Sequence, residues 1–266
     1  MILLGKHNPR VKGLLRLARR HRREQEEKFL IEGPRLVLEA LSAGWPLEAV
    51  YCTARFAESE KNAELLNSLH EYGVIVYALP IEVFSRIAST EEPQGVLAVA
   101  RTRKVEAGEL FRDPSPLVVV VDGLQDPGNL GTIIRTADAA GASGAVLLPG
   151  TVDIYNPKVV RATAGALFRL PVIEGLPLDE ALTLIKNAAL ELVVADPRGS
   201  VPFYAADLSG PVAIVVGSEG TGIKHKVQKA ASERVFIPMP GGAESLNAAV
   251  AASLLIYEAV RQRHAF

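Results

Sequence analysis

Apolar and polar positions along this 266-residue chain fall into blocks whose period switches repeatedly between strand-like and helix-like. In the second half the strand-like blocks are unbroken. Leu117–Val121 has no polar position, which predicts a parallel strand covered on both faces. Comparable runs lie at Ala145–Leu148, Leu190–Ala195, Pro211–Val216 and Arg234–Ile237. Helical patterns at Leu130–Ala140, Val159–Ala166, Leu178–Ala188 and Lys224–Ala230 separate most of them, and a long helix from Leu246 to about Arg263 closes the chain. This is the pattern of an open parallel α/β sheet, in which ligands sit beyond the C-terminal ends of the strands.

The first hundred residues alternate more evenly. Strands are predicted at Phe29–Gly33, Ala49–Cys52, Val74–Tyr77 and Gly95–Ala100. Helices are predicted at Arg35–Ala43, from about Phe56 to Glu71, and over Pro80–Ala88, giving a small α/β/α domain. From Arg101 to Pro116, charge, glycine and two prolines occur without periodicity. The expected organisation is therefore a domain over 1–103, a linker over 104–116 and a second domain over 117–266.

Composition narrows the classes. An apolar share of 48% and a charged share of 22% are those of a globular protein. Cys52 is the single cysteine, which excludes an internal disulfide and a cysteine-rich zinc site. The first residues hold no segment suited to a signal peptide and no apolar run reaches membrane-spanning length, so a cytoplasmic protein without a membrane partner is expected. The net charge is only −1, yet Lys6–Arg23 holds eight Lys/Arg and no acidic residue. On an otherwise acidic chain this fits a polyanion partner; it also fits the solvated face of a helix docked through Leu14, Leu15, Leu17 and Ala18. Aromatics at 6% leave few stacking surfaces, so a nucleic-acid contact would rest on charge and backbone.

Three glycine-studded turns each follow an apolar run: Asp122–Gly131, Gly217–Ile223 and Ile237–Asn247. Glycine lets backbone groups approach a ligand closely, so three such turns at strand ends point to one composite pocket. The first has the glycine spacing of a P-loop, but Asn129 and Leu130 stand where Lys and Ser/Thr are required. The second lacks the Rossmann spacing and the acidic residue about twenty positions on. The five histidines are scattered and none sits in a turn; no metal-binding spacing occurs, so no metal is expected. The turns supply polar, largely non-nucleophilic groups, which suits transfer between bound partners with catalysis by orientation.

In order and content the turns resemble the SpoU/TrmH branch of the SPOUT family of RNA ribose 2′-O-methyltransferases. The first motif is Asp-x-x-x-Asp-Pro-x-Asn-x-Gly with a helical arginine, here Asp122 to Arg135. The second, Gly-x-Glu-x-x-Gly after an apolar strand, is Gly217–Gly222, and the third is Ile237–Ala251, departing by Pro240 and one extra small residue near Gly241–Gly242. The first hundred residues are similar, less specifically, to a ribosomal-protein-like substrate-binding domain, through Phe29–Gly33 and Pro93–Val99. The resemblance implies a C-terminal trefoil knot, a homodimer through the last helix, S-adenosylmethionine as cofactor and RNA as substrate. Ribosomal RNA fits the added N-terminal domain, and transfer RNA is the alternative. A module of this fold that binds RNA without catalysis, and a nucleotide-using enzyme acting on a small molecule, are the rival classes.

The resemblance also implies roles for residues. Gly217, Ser218, Ile237, Met239 and Leu246 would hold the cofactor. Asn129 would fix the acceptor ribose or the neighbouring loop, and Glu219 would anchor its turn or bind the donor's amino group. Ser245 is placed like an N-cap of the last helix, with Asn247 at the second position, so capping alone is an alternative for the serine. Arg135 is the expected catalytic centre. Arginine does not deprotonate readily, so it would stabilise a developing alkoxide while phosphate or water takes the proton.

Overall fold

The computed structural model describes residues 1–218, 220 and 222–264. The chain divides into two units, Met1–Arg103 with Tyr155–Phe168, and Lys104–Ile154 with Arg169–Phe266.

The first unit is built on a five-stranded sheet. Its elements are β1 (Ile2–Leu3), α1 (Pro9–Arg16), α2 (Arg20–Glu26), β2 (Lys28–Glu32), α3 (Pro34–Ser42), β3 (Leu47–Cys52), α4 (Ala54–Ala57), α5 (Ala63–Glu71), β4 (Val76–Ala78), α6 (Ile81–Ile87) and β5 (Val96–Arg101). The strand order is β1-β4-β3-β5-β2, with β5 antiparallel to both of its neighbours. The predicted strands and the α3 and α6 helices are present. The single helix expected from Phe56 to Glu71 is instead α4, a 3₁₀ turn at Glu60–Asn62 and α5. Thr53 caps α4 by accepting from Phe56 N, and Asn62 Nδ2 donates to Phe56 O, which turns the chain.

The basic segment likewise forms two helices rather than one. Asn8 caps α1, which buries Val11 and Leu14, while Leu17 is buried just beyond it. The chain then leaves the helix, and Ala18, expected in the apolar stripe, is exposed.

The second unit holds β6 (Leu117–Asp122), α7 (Pro127–Ala139), β7 (Gly144–Leu147), β8 (Val172–Glu174), α9 (Leu178–Asn187), β9 (Glu191–Ala195), β10 (Val201–Pro202), β11 (Val212–Gly217), α10 (His225–Ala230), β12 (Glu233–Phe236) and α11 (Ala248–Arg263). The remaining helix, α8 (Pro157–Ala162), groups with the first unit: Phe29 packs on Tyr155 with ring centroids 4.6 Å apart, and Trp45 meets Phe168 at 5.4 Å. The seven strands of the second unit are all parallel, ordered β10-β12-β9-β11-β6-β7-β8. The short strands β8 and β10 carry too few apolar residues to stand out in the sequence.

Buried Val118, Val120, Val146, Val194, Ala213 and Val215 form the centre of one face, and the stretch read as a linker contributes to it. Ala107–Phe111 is a 3₁₀ turn with a Glu106/Glu109 capping box, and its Leu110 is fully buried. One apolar residue among polar ones leaves no periodicity to read. Because the sheet is parallel, the turns after β6, β9, β11 and β12 leave from one edge.

Candidate active site

The central register sets the geometry. β11 pairs with β6 from Val212↔Leu117 to Gly217↔Asp122, so the first and second glycine turns start side by side. A cavity of about 410 Å³ opens beyond these strand ends, within the size range of small-molecule sites. Gly217, Ser218, Ile237, Met239 and Leu246, the five residues expected to hold the cofactor, all line it, and so does Ser245. The rest of the lining is mainly small or apolar, including Val216, Ile223, Val235, Ala248 and Ala251.

Gly217 is required here by close approach. A Cβ at this position would lie 2.5 Å from Ile223 Cγ1 and 2.7 Å from the Gly222 carbonyl carbon. The turn also closes on itself: Gly222 N donates to Ser218 O at 2.8 Å, and Gly222 takes φ +67°, a left-handed conformation suited to glycine. Glu219, expected at this turn, lies outside the described residues.

The polar residues of the other turns sit at the start of α7 and α11. Asp126 caps α7, accepting from Asn129 N at 2.7 Å. Asn129 lies in the first turn of the helix rather than before it. Ser245 is not the cap of α11. Asn247 is, its side chain accepting from Ala249 N at 2.9 Å and Val250 N at 3.3 Å. Asn247 Nδ2 also donates to Asn129 Oδ1 at 2.9 Å, which joins the first and third motifs directly. Serine and asparagine both cap well, so the expectation of a cap at Ser245 falls two positions short of the residue that caps the helix.

Arg135 is exposed on α7, six residues past Asn129, and is not among the residues lining the cavity. Six residues correspond to a rise of about 9 Å. The structure thus brings the five residues expected to hold the cofactor, Ser245 and the Asn129–Asn247 pair to one end of the sheet, and leaves Arg135 on an outward helix face.

Several groups that the sequence reading did not single out belong to the site. A fourth turn, Asp196–Gly199, follows β9 and lines the cavity through Asp196, Pro197 and Arg198. Asp196 is buried and pairs with Arg234 at 2.6 Å. Burial pushes its pKa up, but hydrogen bonds from Arg198 N and the Arg234 guanidinium outweigh that and hold the carboxyl below its usual range. Gly199 lies against β12, where a Cβ would meet Arg234 O at 2.6 Å. The signal was present: an apolar run ending in Asp-Pro-Arg-Gly has the same form as the other three turns. Asp122 is also more than part of a motif, since its buried carboxylate accepts from Lys224 N at 2.7 Å and pairs with Lys224 Nζ.

In the first unit the basic segment is less free than its composition implies. Arg23 is buried and donates to Leu17 O at 2.9 Å and Ala18 O at 3.0 Å, satisfying carbonyls where α1 ends. Arg10 lies over the Tyr77 ring, 4.9 Å from its centroid, and Arg20 pairs with Glu24. Lys6, Lys12, Arg16 and Arg19 are exposed and have no acidic partner among the described residues. Among the described residues, no group of three or more His, Cys, Asp or Glu is placed to hold a metal ion, and no helix is long and apolar enough to cross a membrane.

Residues 116–257 match the SpoU rRNA Methylase family, and residues 8–98 match the MRM3-like substrate binding domain. The chain is 34% identical to the 23S rRNA (guanosine(2553)-2′-O)-methyltransferase RlmP of Bacillus subtilis, over 94% of this chain and 95% of that protein. It is 32% identical to the 23S rRNA (uridine(2479)-2′-O)-methyltransferase of Streptomyces viridochromogenes, over 93% and 87%. The crystal structure of the AdoMet-bound rRNA methyltransferase from Sinorhizobium meliloti superposes with a TM-score of 0.87 at 31% identity, covering 97% of each chain. With the three glycine turns gathered at one end of a parallel sheet, this chain belongs to the SpoU rRNA methylase family and has the SPOUT methyltransferase fold.

Proposed function

We propose that this protein transfers the methyl group of S-adenosylmethionine to a ribose 2′-hydroxyl of RNA, with ribosomal RNA as the substrate. The observation that carries this is that Gly217, Ser218, Ile237, Met239 and Leu246 line one cavity, at the end of the sheet where Asn247 meets Asn129. Its residues fit the cofactor: apolar walls suit an adenine face, backbone groups at the turns suit its ring nitrogens and ribose hydroxyls, and Gly217 keeps the floor free of a Cβ. When bound, the cofactor supplies an electrophilic methyl group on a sulfonium. Ribosomal RNA is favoured by the family match and by the 23S rRNA activities of the two relatives.

The chain's own residues position the acceptor. Asn247 fixes the Asn129 amide by donating to its Oδ1, which sets the orientation of the Asn129 side chain beside the acceptor. Arg135 presents a forked donor on the same helix and stabilises the developing alkoxide, while a phosphate oxygen or water takes the proton. Ser245 lines the cavity and holds the donor's edge, and Glu219 of the second turn anchors that turn or the donor's amino group.

The same reading makes the protein a cytoplasmic homodimer with a knotted C-terminal unit. Val250, Leu254 and Tyr257 are exposed along α11 at helical spacing, beside Thr132 of α7, an apolar stripe suited to a second copy. Calorimetry with S-adenosylmethionine in the presence of chelator tests the central claim. Binding at about one site per chain is expected, and complete loss of binding on chelation would overturn it. Mapping ribose methylation in 23S rRNA with and without the gene then tests the substrate.

A further inference from the structure

We propose that Asp122 and Lys224 are a positioning pair that sets one wall of the donor cavity; the inference rests on the donor occupying that cavity. One residue holds both ends of the second glycine turn. The Asp122 carbonyl accepts from Ser218 N at 3.2 Å where the chain leaves β11. The Asp122 carboxylate accepts from Lys224 N at 2.7 Å, and from Lys224 Nζ, where the chain enters α10. Lys224 Nζ also donates to Pro149 O at 2.9 Å, tying the same point to the loop after β7.

The electrostatics make this a coupled device rather than a surface ion pair. The Asp122 side chain is 1% exposed, whereas that of Lys224 is 44% exposed. A buried carboxylate is costly unless paired and hydrogen-bonded. Among the described residues, Lys224 supplies the only cation paired with it, together with a backbone N–H. Satisfying Asp122 therefore requires Lys224 to be in place, and with it Ile223, which packs on Gly217 and lines the cavity. Gln228 Nε2 donates to Ile223 O at 2.9 Å and supports the same placement from α10.

The consequence is a division of labour. Loss of the pair loosens the wall against which the donor lies, while Asn129 and Arg135 stand on α7, which keeps its own cap at Asp126. Donor affinity should suffer and the methyl-transfer step at saturating donor should not.

The test compares Lys224→Met, Lys224→Arg, Asp122→Asn and Gly217→Val by calorimetry with S-adenosylmethionine and by methylation of ribosomal RNA at saturating donor. Lys224→Met should weaken donor binding by about tenfold or more, the scale of a lost charge-assisted hydrogen bond. Its turnover at saturation should stay within about threefold, the pattern of lost ground-state binding. Lys224→Arg should restore most of the affinity. Asp122→Asn should match Lys224→Met, and the double variant should be no worse than either alone. If Asp122→Asn fails to fold, the half-exposed Lys224 site still decides.

Wild-type donor affinity in Lys224→Met, with binding abolished in Gly217→Val, would overturn the pair and leave the cavity assignment standing. Unchanged affinity in Gly217→Val would overturn the cavity assignment itself, and the pair with it. An equal fall of turnover and affinity in Lys224→Met would also overturn the positioning role.

Discussion

The basic N-terminal segment and the cavity at the strand ends of the second unit are both regions where the sequence points to a ligand, and they are built on opposite principles. The segment carries its signal in long charged side chains, and the fold consumes half of them. Arg23 is buried against carbonyls, Arg10 stacks on Tyr77, Arg20 pairs with Glu24 and Arg22 with Gln25. The cavity carries its signal in glycine, small residues and backbone, and all five predicted residues reach it. A backbone turn has its shape wherever its strand ends, whereas a cation is available only if no neighbour claims it. Charge counted along a sequence therefore overstates a binding surface more readily than a glycine turn overstates a pocket.

Arg135 is the exposed side chain on which the catalytic reading of the second region depends, and it tests the contrast most severely. Arg135→Ala should cut single-turnover methylation by roughly two to three orders of magnitude, the scale of a lost transition-state donor. Donor affinity should barely change, since Arg135 lies outside the cavity. Arg135→Lys should recover little, because a point charge cannot make the forked contact. Near-normal turnover in Arg135→Ala would move the chemistry to Asn129 or to bound phosphate.

Within the basic segment, buried and exposed arginines should separate cleanly. Arg23→Glu places an acid against two carbonyls and should cost about 3 kcal/mol or more in urea unfolding. Reversing Lys12, Arg16 and Arg19 to Glu should leave the unfolding midpoint nearly unchanged. It should weaken RNA binding across sequences and flatten the salt dependence by about one unit of slope per phosphate contact. RNA affinity equal to wild type would return the segment to a solvated helix face.

Smaller effects probe the polar frame of the cavity. Asp196 has a depressed pKa in the folded state, so its stabilisation is present above the ordinary carboxylate value, near ~3.9, and is lost as pH falls through its lower folded value. Asp196→Asn should lower stability at neutral pH by about 1–2 kcal/mol and narrow the gap to wild type on acidification, measured as urea midpoints across that range. Asn247→Ala should cost about 1 kcal/mol as a lost cap, whereas Ser245→Ala should cost almost nothing in stability. Equal losses from the two would place the cap wrongly.

What the sequence determined by itself is local. Unbroken β-branched runs specified the central parallel strands, turn residues specified where they end, and three motifs specified the family. Those signals depend on a few consecutive residues, so they survive without knowledge of neighbours. What only the tertiary structure decided is partnership across the chain. Asp122 meets Lys224 at a separation of 102 positions, and Asn129 meets Asn247 across 118. Leu110 becomes core only where Gly144 lets it approach, because a Cβ there would sit 2.6 Å from its side chain. Tyr155–Phe168 groups with the first unit through aromatic contacts that no local period encodes. Hydrogen bonds and burial are properties of pairs brought together by the fold, and a pattern read one residue at a time carries only one member of each pair.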